Sequence, residues 1–174
     1  MWKGIIAGAI GGAVGSFAMN QFQAAASRLF EHPQQHPRKR ERARQAQGWK
    51  EHREPQGGEE ENATIKAAVA VADAAGVKLP EDAKQPAGNA MHYGFGIASG
   101  AVYGALAEKW DGARACEGTA FGAVLWLIAD EIAIPAMKLS KPAREYPPRV
   151  HAMALGSHVV YGFTTEMVRR ALRR

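Results

Sequence analysis

Two acids side by side, Asp130 and Glu131, stand inside an otherwise apolar stretch from Gly118 to Met137. Carboxylates trade protons, hold cations and pair with imidazoles, and each is costly in such surroundings. An acid near the centre of a membrane helix costs roughly 2.5–3.5 kcal/mol, whereas neighbours such as Val124, Leu125 and Ile128 return only about 0.3–0.6 each. The stretch therefore needs polar partners from other helices, and an ionisable group in that position is a functional candidate by default. At a rise of about 1.5 Å per residue the acids lie roughly 12–14 Å from the C-terminal end of their helix. His158 lies at the matching depth in the next helix, entered from the same end. Asn20 and Gln23 fall near this level too, with Asn89, His92 and Tyr93 slightly shallower.

Four chemistries suit such a cluster. A structural polar network that holds the helices in register comes first. A proton or ion site comes next, because an acid beside an imidazole in a low-dielectric setting titrates as a coupled pair. A divalent-cation site would draw on the acids with His158 and His92, yet no HExxH or ExxH spacing is present. Metal-free catalysis is the fourth, though a Ser-His arrangement has no sequence support: Ser157 directly precedes His158 and no nucleophile elbow occurs.

The elements that must position these residues are apolar runs. Gly4 to Ser27 and Gln85 to Ala107 carry no formal charge, Gly118 to Met137 carries only the two acids, and Val150 to Thr165 carries only two histidines. A span needs about 20 mostly apolar residues. The pattern predicts an all-α, four-span transmembrane helical bundle: a first transmembrane helix in residues 1–30, a polar cytoplasmic loop with short helices in 31–88, and three further transmembrane helices in 89–174. A soluble four-helix bundle would show polar faces at helical spacing, and the first two runs show almost none. Lys3, the first apolar run and Ala24-Ala25-Ala26 resemble a signal peptide with its cleavage site; the run is read as a first membrane helix instead.

Glycines recur every fourth residue in two of these runs: Gly4, Gly8 and Gly12, with a second row Gly11 and Gly15, and later Gly96, Gly100 and Gly104. Such ridges let two backbones approach closely in lipid, so the two helices are expected to pack on each other or on a second copy. Within the long loop, Pro37 opens a charged helix to about Arg53, with Trp49 as an interfacial anchor. After a break at Pro55-Gln56-Gly57-Gly58, a short helix runs from Ala63 to Ala75 with Ile65, Val69 and Ala72 on one face, stopped by Gly76 and Pro80.

Mean hydropathy is slightly negative at −0.28, an average that hides this segregation of charge. The net charge is +5, and its one dense run, Arg38-Lys39-Arg40-Glu41-Arg42-Ala43-Arg44, suits anionic headgroups or topology rather than nucleic acid. One cysteine, Cys116, excludes an internal disulfide. Lysine and arginine are concentrated in the first and third loops, which places residues 31–88 and 138–150 in the cytoplasm. The expected partners are the lipid bilayer and other membrane protein subunits or a second copy, with no nucleic acid and no cofactor. The expected role is a small scaffold or accessory subunit; the alternative is a proton- or ion-responsive channel-like bundle, and no enzyme activity is expected.

The stretch Gly156-Ser157-His158-Val159-Val160-Tyr161-Gly162-Phe163-Thr164-Thr165-Glu166-Met167-Val168-Arg169-Arg170 resembles the closing helix of the YagU-like bacterial inner-membrane proteins, with a small residue, His, an apolar pair, an aromatic, then Glu and a basic pair. Ile134-Pro135-Ala136-Met137-Lys138-Leu139-Ser140-Lys141-Pro142 is similar to the exit of their third helix. The resemblance spans about residues 90–172. It implies a multi-span protein of the bacterial cytoplasmic membrane and assigns no role to Asp130 or Glu131.

Overall fold

Helix α1 runs from Trp2 to Phe30 and is flanked by two long helices, α3 (Glu81–Lys109) and α6 (Pro148–Leu172). The structure is a computed structural model that describes residues 1–30 and 59–174. Among the described residues all regular structure is helical. The expected helix from Pro37 to Arg53, its Trp49, the break at Pro55–Gly58 and the basic run from Arg38 lie outside them.

The glycine rows dictate how α1 is flanked. A Cβ on Gly8 would run into the carbonyl oxygen of Gly100, one on Gly12 into that of Gly96, and one on Gly104 into that of Gly4. Rising numbers on α1 thus meet falling numbers on α3, so the two helices are antiparallel and touch backbone to backbone. The second row faces the other way: a Cβ on Gly11 would lie 2.6 Å from the Thr165 carbonyl oxygen, and one on Gly15 would lie 2.9 Å from that of Tyr161. Helix α6 is therefore also antiparallel to α1. Side chains fill the remaining gap between α3 and α6, where Tyr161 Oη donates to the Gly96 carbonyl at 2.6 Å.

The third rod is built in pieces. A 3-10 segment, Asp111–Gly118, turns through left-handed backbone at Cys116, Glu117 and Gly118 into α4 (Thr119–Trp126). A π-helix, Leu127–Ala133, follows, and then α5 (Ile134–Ala136). This rod packs on α6 through a seam not anticipated from the glycine ridges of the first two runs. A Cβ on Gly122 would meet the His158 carbonyl oxygen, and one on Gly162 the Gly118 carbonyl oxygen. Phe121 joins Tyr103 and Tyr161 at ring-centroid distances of 4.6 and 6.4 Å, which ties α4 to α3 and α6.

The sequence predicts a kink at Pro135. The structure shows a change of hydrogen-bond register there: Ile134 N–H donates to the Ala129 carbonyl, five residues back, and the ladder returns to four residues where Met137 N–H donates to Ala133. Proline has no N–H to give, and the wider turn takes up the mismatch. Helix α3 starts at Glu81, inside the stretch 31–88 expected as loop, because Pro86 falls in its second turn, where the carbonyl it leaves unserved is that of exposed Asp82.

Helix α2 (Glu59–Ala74) ends at Gly76 (φ +75), where Val77 N–H bonds the Ala72 carbonyl and Gly76 N–H that of Asp73, the paired bonds of a left-handed helix stop. It lies on the start of α3, with Ala63 and Ala68 buried and Ile65 against Gly88. Among the described residues, two helical stretches are long and apolar enough to cross a membrane, Trp2–Arg28 and Asp111–Ala136.

Candidate functional site

Where α1 and the π-helix end and α3 and α6 begin, the rods splay around a cavity of about 720 Å³. Asn20 and Gln23 reach it from α1, Asn89 and His92 from α3, Asp130 and Glu131 from the π-helix, and His151 and Ser157 from α6. Ala63 and Thr64 of α2 close part of its rim beside Tyr146 and Arg149. The cap is tied down where Lys66 Nζ donates to the Leu139 carbonyl at 3.0 Å.

The two acids diverge. Successive residues on a helix point in different directions, and here each acid meets a different histidine. Glu131 Oε1 lies 2.5 Å from His151 Nδ1. The other ring nitrogen of His151, Nε2, donates to the Ala143 carbonyl at 3.0 Å. A carbonyl only accepts, so Nε2 carries the hydrogen of that bond, and Nδ1 faces the carboxylate. Asp130 Oδ2 lies 3.6 Å from His158 Nδ1, an ion-pair distance rather than a hydrogen bond, and that nitrogen donates to the Ala154 carbonyl at 3.0 Å.

The remaining members of the expected cluster are less tightly engaged. Asn20 Nδ2 donates to Tyr93 Oη at 3.4 Å. His92 packs edge-on against Tyr93, and its Nε2 is buried with no hydrogen-bond partner among the described residues. No three His, Cys, Asp or Glu side chains among the described residues are grouped to hold a metal ion. Both acids belong to the π-helix. Such segments cluster at functional sites because they re-aim side chains at the cost of regular bonding.

A second ionic cluster stands at the opposite end of the bundle. Glu166 is fully buried. Its Oε2 accepts from Tyr103 Oη at 2.9 Å and from Arg169 Nε at 2.6 Å. Its Oε1 accepts from Arg169 Nη2 at 2.9 Å and Arg170 Nε at 2.8 Å. Glu108 is held by Arg173 through two bonds of 2.9 Å, and Arg170 also pairs with Glu117. The spacing of Glu166 to Arg169 and Arg170, three and four residues on, is a sequence signal for the pairing. Its depth depends on Tyr103, which is 63 residues away in the chain.

Residues 68–167, more than half of the chain, match the model of a family described as "Protein of unknown function (DUF1440)". The matched span holds the cavity acids, His92, His151, His158 and Glu166, and leaves out α1 and the arginines from Arg169 onward. No curated protein and no solved structure matches the chain.

Proposed function

We propose that this chain, which belongs to the DUF1440 family by that match, is a four-span protein of the bacterial inner membrane that acts as a small scaffold or accessory subunit of a membrane complex. The observation that carries the reading is the inside-out distribution of side chains. Ile6, Ile10 and Phe17 on α1, Phe95 and Val102 on α3, Val124, Ile128 and Ile132 on the third rod and Phe163 on α6 all face outward. Ser157, His158, Thr165, Glu166 and Arg169 on α6 are buried among the helices. Helices α3 and α6 lose average hydropathy to residues that would never meet lipid. Their 29 and 25 residues span about 44 and 38 Å at 1.5 Å per residue, ample for a bilayer core of about 30 Å.

Glycine seams between three pairs of rods make the frame rigid, which suits a subunit that holds others in place. The resemblance of the closing helix to YagU-like proteins supports the bacterial inner membrane, and the basic loops support a cytoplasmic cavity end. Mild-detergent extraction of native membranes should yield the chain in a stoichiometric larger complex. Recovery of a lone monomer would contradict the scaffold role.

The cavity favours a second reading, a proton- or ion-responsive bundle, because the Glu131–His151 and Asp130–His158 carboxylate–imidazole pairs both border it. For that reading, Asp130→Asn, Glu131→Gln and His158→Gln together should leave a folded protein that has lost pH-dependent behaviour in reconstituted vesicles. Unchanged pH dependence in the triple variant would remove it.

A further inference from the structure

We propose that the pocket at the end of the bundle opposite the cavity binds the phosphate of an anionic lipid headgroup. The pocket holds about 400 Å³, and five arginines, Arg114, Arg169, Arg170, Arg173 and Arg174, face two carboxylates, Glu108 and Asp111, across it. Both carboxylates are already engaged, Glu108 by the fork of Arg173 and Asp111 by Arg114. Behind the wall, Glu166 and Glu117 take part of the donor capacity of Arg169 and Arg170. Arg174 makes no ion pair or hydrogen bond among the described residues.

A guanidinium carries five N–H donors in a planar fork, so these five side chains offer far more donors than four carboxylates accept. A tetrahedral oxyanion is the ligand that such converging forks recognise, often bidentately. Basic pockets between membrane helices take anionic lipid headgroups by this chemistry. The lipid source is favoured over a free anion by depth. Trp2 and Trp110, 66% and 65% exposed, stand at this same end of the bundle, where α1 begins and α3 finishes. Exposed tryptophans mark the headgroup level of a bilayer, and that level coincides with the arginine rim.

The site presupposes the membrane reading above, and the test separates the two. The full chain is mixed with vesicles of phosphatidylcholine alone or of equimolar phosphatidylcholine and phosphatidylglycerol. Failure to float with either composition would sink the membrane reading. With flotation intact, the affinity for short-chain phosphatidylglycerol relative to phosphatidylcholine, titrated by melting in detergent, reads the pocket alone. Arg114→Gln with Arg174→Gln, which leaves the Glu166 bonds untouched, should reduce that preference at least about tenfold while the lipid-free melting temperature holds. Lys138→Gln with Lys141→Gln, at the opposite end, should leave it unchanged. Should the double arginine variant not fold, Arg174→Gln alone should still lower the preference. An equal loss in the lysine control, or no preference in the parent chain, would overturn the site. Full reproduction of the effect by inorganic phosphate would overturn the lipid source.

Discussion

The two ends of this bundle hold the same kinds of groups and use them differently. At the Glu166 end a buried carboxylate accepts four hydrogen bonds from Tyr103, Arg169 and Arg170. At the Asp130–Glu131 end two acids share a cavity of about 720 Å³, one meeting His151 and the other standing 3.6 Å from His158. A carboxylate that accepts four hydrogen bonds, three of them from guanidinium groups, is locked. One beside open volume with an imidazole partner can change protonation without unseating a helix. The first end therefore reads as the clamp of the fold and the second as the place where the fold can respond.

Substitutions at the clamp should give the largest effect. Glu166→Ala would strand the buried Arg169 guanidinium and the Tyr103 hydroxyl and leave Arg170 with Glu117 alone, and breaking a buried pair from one side costs about 3–5 kcal/mol. Unfolding in mixed micelles should show that loss; a change below about 1 kcal/mol would place Glu166 among weak surface pairs. Next in size are the seams. Gly8→Leu and Gly122→Leu should each cost about 1–3 kcal/mol or more through overpacking, because both positions touch carbonyl oxygens. Ala9→Leu, half-exposed on α1, should be tolerated. Equal melting temperatures for all three would dissolve the close-approach argument. The smallest effect should come from Glu131→Gln. Its pair with His151 is partly open to solvent, with side-chain exposures of 17% and 26%, so stability should move by less than about 1 kcal/mol. A loss as large as that of Glu166→Ala would erase the contrast between the two ends.

Much of the frame is legible in residue spacing. Glycines every fourth residue announce a backbone-to-backbone contact, and the structure places Gly8 on Gly100 and Gly12 on Gly96. The seam between the third rod and α6 had its own signal in Gly118 and Gly122, four apart in the sequence, but one short pair is lost among other small residues. The partner of Glu131 was not legible, because helical depth gives a level and not an azimuth. The π-helix turns the acids away from the direction that a regular count predicts. The burial of Glu166 was hidden for a different reason. Arginines three and four residues along suggest an exposed pair on one helix, and only the distant Tyr103 and the crowding of Gly118 against Gly162 show that it is enclosed.

The central claim is that the rods cross a membrane, so that the turn before α4 and the link before α6 lie on opposite sides. Cys116 is exposed in that turn, and Ser140 stands in the link. An impermeant thiol reagent applied to spheroplasts measures this directly, with the parent chain for Cys116 and a Cys116→Ser, Ser140→Cys variant for the link. The account predicts that Cys116 is labelled from outside and position 140 only after the inner membrane is broken. Labelling of both from the same side would contradict it.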